Sequence, residues 1–256
     1  MTVLSIDINS DLGESEESLA NGTDYELMRY ITSANVACGG HAGDERTMRE
    51  TVRFAKELDV TVGAHPGYPD RTNFGRVESP MAAAEIESMV RDQIAALAEV
   101  AEALGVRLVH CKPHGALYHA ANKSAAVAAA VGRAVLESDE QLIMVAQAGS
   151  STLTLWESMG LTCTGEAFAD RAYEPNGLLR SRTLAGALLE DPAKAARQAL
   201  DIVTRHVAVA YDRSELKVDA GTLCIHSDTP GSVAIARSVN EALTKAGVKL
   251  RSLATT

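Results

Sequence analysis

Short runs of β-forming residues recur along this chain, and each is followed by a segment with helical spacing. That alternation constrains the fold more than any other feature, because parallel neighbouring strands need long crossovers and helices supply them. Seven runs read as strands, at about residues 4–9, 34–38, 60–64, 107–111, 142–146, 162–167 and 223–226, with an eighth candidate at 248–253. Residues 44–58 read as a helix, with Asp44 as N-cap and Met48, Val52, Ala55 and Leu58 on one face. Residues 81–104 repeat the pattern with Ile86, Met89, Val90, Ile94, Leu97, Ala101 and Leu104, after Pro80 and before Gly105. Residues 211–220 fit a loop, a helical turn or a small hairpin.

The 256 residues match the roughly 250 over which a (β/α) barrel closes. No repeat, low-complexity tract or Pro/Gly/Ser linker divides them, so one domain over residues 1–256 is predicted. Hydrophobic residues make up 46% but aromatics 4%, so the core must be Val, Ile, Leu and Ala. A net charge of −10 with no basic run disfavours nucleic acid. Residues 1–11 contain no secretory leader and no window is long and apolar enough to span a membrane, so a cytoplasmic protein is expected. Cys38, Cys111, Cys163 and Cys224 lie far apart and read as small buried hydrophobes rather than disulfide or zinc ligands. There is no GxxxxGK[ST] phosphate loop, GxGxxG turn, GxSxG elbow or HExxH helix.

Residues that close a strand and open the next loop share one rim of such a sheet, where barrels place their active sites. Strand one ends in Asp7, Asn9 and Asp11, which alternation sets on one side. Strand two carries Asn35 and runs into a glycine-rich turn before His41. Later strand ends deliver His65, then His110, Lys112 and His114, then Glu166, Asp170 and Arg171, then His226 and Asp228. Each alone has a bland explanation as surface charge or a satisfied histidine. Their coincidence at successive strand ends points to a site, whereas His119 and His206 read as surface residues and Arg76 and Arg171 could be solvated ion pairs.

With those residues in hand, the chain resembles the LamB/YcsF family through DINSDLGE, SANVACGGHAGD, GAHPGYPD with FGR, KPHGALY, GEAFADRAY and IHSDTPG, in order along nearly its whole length. Two positions depart: Gly40 stands where a bulky aromatic is expected and could widen the pocket, and Glu45 where proline is usual. The resemblance implies a distorted (β/α) TIM-like barrel of about seven parallel strands, similar to the glycoside hydrolase/deacetylase superfamily. It implies the A subunit of an ATP-dependent hydrolase that opens the cyclic amide of 5-oxoproline to glutamate, with partner subunits B and C and with ATP handled by the partners.

On that reading Asp11 is a general base or metal ligand, His41 and His65 are proton-transfer groups or metal ligands, and Lys112 clamps an anion, with His114 as a further catalytic group. Asn9, Asn35, Arg76, Glu166, Asp170, Arg171, His226 and Asp228 are assigned to substrate binding or orientation. A divalent metal on Asp11, His41 and His65 is left open, as is a homo-oligomer. The alternatives are a stand-alone metal-dependent amidase or deacetylase, and a non-catalytic binding or regulatory subunit.

Overall fold

The computed structural model describes residues 4–255; the leader-free reading of the N-terminus falls in part on residues 1–3, outside the described residues. The chain runs β1 (Ser5–Leu12), α1 (Glu16–Ala20), α2 (Thr23–Met28), β2 (Ser33–Ala37), α3 (Glu45–Glu57), β3 (Thr61–His65), α4 (Ala83–Ala103), β4 (Leu108–Cys111), α5 (Gly115–Lys123) and α6 (Ala125–Ser138). It continues with β5 (Ile143–Gln147), α7 (Ser151–Ser158), β6 (Cys163–Phe168), α8 (Pro192–Arg205), β7 (Val207–Val209), β8 (Glu215–Lys217), β9 (Thr222–Cys224), α9 (Ser232–Lys245) and β10 (Lys249–Leu250).

Strands β1 to β6 pair in parallel in chain order, β6 pairs with β9, and β9 returns to β1, closing a seven-stranded parallel barrel surrounded by helices. The eighth candidate, β10, joins β1 at Ser5 and Ile6, just before β9 takes over at Asp7. The stretch left open by sequence belongs to an antiparallel hairpin, in which β7 pairs with β8.

Burial follows the periodicities that define the elements. Helix α3 starts with a reciprocal cap, Thr47 N–H donating to Asp44 Oδ1 and Asp44 N–H to Thr47 Oγ1, each at 2.8 Å, and buries Met48, Val52 and Ala55. Leu58 ends it and is only half-buried. In α4, Ile86, Val90, Ile94, Leu97 and Ala101 are buried, while Met89 and Leu104 lie at the edge of the core. Cys38, Cys111 and Cys224 are buried and Cys163 is half-buried, all as free thiols. No described helix is long and apolar enough to cross a membrane.

Register carries the inward residues into layers. Asp11, Asn35, Gly63 and His110 stand opposite one another on β1, β2, β3 and β4. His110 Nε2 reaches Asn35 Oδ1 at 2.7 Å by crossing over Gly63, where an added Cβ would fall 2.2 Å from that ring nitrogen. Below, Asp7 stands opposite Thr222, which stands opposite Glu166. The barrel interior is therefore polar along one sector, with each group hydrogen-bonded to the next as burial requires.

Candidate active site

The deepest layer is a set of hydroxyls around a carboxylate. Thr32 and Ser33 each donate to Asp7 Oδ1 at 2.6 Å, and Thr222 donates to Oδ2. Burial outweighs these bonds and raises the Asp7 pKa to about 6. One layer up, Asn9 donates to Glu166 Oε1 and Thr222, and Asn35 donates to Asn9 Oδ1 and Asp11 Oδ1, both at 2.7 Å. Asn9 and Asn35, assigned to substrate from sequence, are thus engaged beneath the site with its own side chains.

Lys112, which follows β4 directly, crosses the barrel. Its Nζ lies 3.0 Å from Asp11 Oδ1, 2.8 Å from Glu166 Oε1 and 3.2 Å from Cys224 Sγ. Burial works against charge on both partners, but their mutual attraction prevails: Lys112 is held well above the ordinary lysine range, and Asp11, also beside His65, well below the carboxylate range. Burial pushes the Cys224 thiol far up, so it stays protonated.

Beside this pair stands a histidine cluster. Gly13, with φ +70°, turns the chain sharply after β1, and its place against Thr51 leaves no room for a Cβ, which would lie 2.7 Å from Thr51 Oγ1. The turn points Glu14 inward, where Oε1 lies 2.8 Å from His41 Nε2, 3.2 Å from His114 Nδ1 and 3.9 Å from His65 Nε2. Burial opposes the charge on Glu14, yet the hydrogen bonds from His114 and His41 hold its carboxyl below the usual range. His41 stacks flat on His114 at 3.6 Å, and burial lowers its pKa to about 4.

Two of these rings have fixed tautomers. His65 Nδ1 is 2.6 Å from the Lys112 carbonyl and His114 Nε2 is 2.8 Å from the Phe74 carbonyl, so each donates there and turns its other nitrogen inward. Those inward nitrogens lie 3.1 Å apart, with Glu14 against one and Asp11 Oδ1 3.5 Å from the other. Two lone pairs and a carboxylate this close make a ready acceptor of positive charge, either a proton or a metal cation. The donors also fit a cation chemically: the ligand atoms of Glu14, His41, His65 and His114 lie within 4.8 Å of one another, and backbone carbonyls hold two of the imidazoles as metal sites commonly do. The sequence trio of Asp11, His41 and His65 differs from this set, since Asp11 is taken by Lys112 while Glu14 and His114 face the other two histidines.

Above lies a cavity of about 360 Å³ whose wall includes Asp11, Glu14, His65, Lys112, His114 and Glu166. His226 and Asp228 also line it, whereas Asp170 lies behind, accepting bonds from His226 N, His226 Nδ1 and Thr229 Oγ1 that shape the loop after β9. Arg171 lines the wall but spends its guanidinium on the Ala187 and Arg180 carbonyls, tying down the loop after β6. Asp228 bridges Arg76 and Arg182 at the mouth, joining the loops that follow β3, β6 and β9. His119 and His206 are both exposed, as the sequence reading has them, and His119 also lines the cavity.

Sequence reasoning missed Glu14, Tyr118, Phe168 and Arg182. Glu14 had a signal, three residues after Asp11 and across a glycine, but the loop's inward turn is tertiary. The idea that Gly40 widens the pocket is corrected: Gly40 is not among the lining residues, and its missing side chain leaves room for Gln93, which bonds both the N–H and carbonyl of Gly67.

The family model of the LamB/YcsF family matches residues 6–256. The A subunit of 5-oxoprolinase from Chloroflexus aggregans is 48% identical over 250 residues, covering 98% of this chain and 99% of that protein. The A subunit of 5-oxoprolinase from Pyrococcus horikoshii is 45% identical over 247 residues, covering 96% of each. The crystal structure of a lactam utilization protein from Thermus thermophilus superposes with a TM-score of 0.91 at 41% identity, covering 98% of this chain and 100% of that one. Agreement in length, order and fold with proteins this similar leaves one assignment: the chain belongs to the LamB/YcsF family.

Proposed function

We propose that this chain is the amide-opening A subunit of an ATP-dependent 5-oxoprolinase, acting in the cytoplasm with partner subunits B and C. The observation that carries the reading is the convergence of Asp11, Glu14, His65, Lys112, His114 and Glu166 on one cavity. Relatives named as the A subunit of 5-oxoprolinase support the substrate, and a lettered subunit in that name supports partners.

A lactam resists water because resonance removes electrophilicity from its carbonyl. Phosphorylation of the ring oxygen by the partners, at the expense of ATP, abolishes that resonance and supplies a leaving group. The absence of a phosphate loop in this chain fits that division of labour. Water then adds to the ring carbon and the C–N bond opens, the nitrogen leaving as the protonated amine, to give an acyl phosphate that a second water cleaves to glutamate and phosphate.

His65 is placed to take the proton from water: its tautomer is fixed through the Lys112 carbonyl, and Asp11 and Glu14 stabilise the imidazolium that forms. Paired with Lys112, Asp11 is a poor base and serves better as this electrostatic partner. Lys112, in the dry floor, offsets charge developing on oxygen. At the mouth Arg182 holds Asp228 with both terminal nitrogens, while Arg76 holds it with one and keeps donors for a ligand carboxylate or phosphate. Should a divalent cation bind, Glu14, His41, His65 and His114 would hold it, and it would lower the pKa of bound water to about 7.

The test is glutamate release from 5-oxoproline with this chain, both partners and ATP present, omitting each in turn. Release only when this chain is present is expected; an unchanged rate without it sinks the proposal. The metal-like donor set favours one second reading, a stand-alone metal-dependent amidase. Turnover without ATP or partners, abolished by chelation and matched by stoichiometric metal on elemental analysis, would support that reading instead.

A further inference from the structure

The turn that aims Glu14 at the histidines is held from behind, by a side chain that does not line the cavity. Strand β1 pairs with β2 as far as Leu12, opposite Val36, and Gly13 lies buried one step past the end of that ladder. Its N–H needs an acceptor from elsewhere, because a buried amide left unpaired is costly. Asp24 supplies it: Oδ2 accepts from the Gly13 N–H at 3.1 Å. Asp24 is itself 1% exposed, and it stands on α2, whose Leu27 and Met28 are buried in the core. On the other side of the turn, Thr51 of α3 occupies the place where a Gly13 Cβ would fall. The turn is thus gripped from α2 and packed from α3.

A carboxylate buried for a single hydrogen bond is a costly way to provide an acceptor. Burial raises the Asp24 pKa to about 6, with the Gly13 N–H working against that rise, and Oδ1 meets no donor among the described residues. The bond to Gly13 is therefore what this group does, and the next residue gives the bond its consequence. Glu14 Oε1 lies 2.8 Å from His41 Nε2 and 3.2 Å from His114 Nδ1, contacts that a small swing of the backbone would break. We propose that Asp24 is a positioning residue for the site: by accepting from the Gly13 N–H it fixes the turn after β1 and so sets Glu14 between His41 and His114. Asp24 acts through Glu14, and since a carboxyl group keeps an accepting oxygen whether or not it carries a proton, the role does not depend on its charge. Its effect on the histidines stands alone, whereas its effect on turnover rests on the 5-oxoproline reading above.

The test reads the ring nitrogens of the full chain, with 15N-labelled histidines, by NMR without substrate or partners. Asp24→Ala should move the His41 and His114 signals in the same direction as Glu14→Gln and at least about half as far, since both take a well-placed carboxylate from the rings. Asp24→Asn keeps an accepting oxygen at the same reach and should leave them within about a tenth of that displacement. In the Glu14→Gln background, Asp24→Ala should add less than about a fifth, because the two changes act on one interaction. Asp24→Ser, whose hydroxyl is one bond shorter, takes the place of the alanine variant if that variant does not fold. In the reconstituted complex Asp24→Ala should lower kcat for glutamate release about tenfold with KM within about twofold, and by under about twofold when Glu14→Gln is already present. A merely structural role would lower the rate by the same factor in both backgrounds. Ring signals unmoved by Asp24→Ala, or moved as far by Asp24→Asn, overturn the positioning role and leave the 5-oxoproline reading standing. The expected ring shifts in a chain whose wild-type complex releases no glutamate overturn that reading alone.

Discussion

At the level of single residues, the site is governed by charges removed from water. Lys112 is buried between Asp11 and Glu166, and each ion is tolerable only because the others are there. Lys112→Met should therefore cost about 3–5 kcal/mol in urea unfolding, the usual consequence of leaving buried charges unpaired. Adding Asp11→Asn should recover part of that loss. Asp7 titrates with the opposite logic to a salt-bridged acid. Because burial raises its folded pKa from 3.8 to about 6, the folded state holds the proton more tightly than the unfolded chain. The resulting stabilisation is fully present below about pH 4 and is lost as pH rises through about 6. The stability difference between wild type and Asp7→Asn should accordingly shift against wild type by about 2–3 kcal/mol between pH 4 and 7. A flat difference across that range contradicts the assignment. Asp11, His65 and Lys112 were legible in the sequence because strand alternation and strand-end position are local properties. Glu14 and Tyr118 were not, since one depends on the turn made by Gly13 and the other on how α5 seats against β6.

Among the elements, register does the work of assembling the site. Gly63 makes room for His110 to cross from β4 to Asn35 on β2, a requirement that joins three strands. Gly63→Ala should cost about 3 kcal/mol or more alone, but under about 1 kcal/mol when His110→Ala has already removed the ring. A double-mutant cycle measured by unfolding checks this, and additive costs would contradict it. The seven barrel strands could be read from β-rich runs within a residue or two at most ends. The hairpin could not, because β7 and β8 are three residues each and too short for a period to declare itself. Gly40 shows the same limit: whether a missing side chain opens a pocket depends on what fills the space, and here it is Gln93 from α4.

Taken as one body, a chain of net charge −10 gathers Arg76, Arg171, Arg180 and Arg182 around the mouth of its cavity and Lys112 at its floor. Arginines gathered at the mouth of a cavity in an acidic chain favour the approach of an anionic ligand there. Affinity for 5-oxoproline should fall several-fold between about 0.05 and 0.5 M salt as the field at the mouth is screened. Invariant affinity would mean the arginines serve the loops alone. Barrel closure was legible from length and alternation, but the common destination of the six strand-end segments followed only once β9 was seen to pair with both β6 and β1. If this shared centre opens the ring, glutamate release by the reconstituted complex should respond sharply to Asp11→Asn. A fall of at least about a hundredfold is expected with the barrel still folded, as when an electrostatic partner in a dry site is lost. An undiminished rate of glutamate release would contradict it.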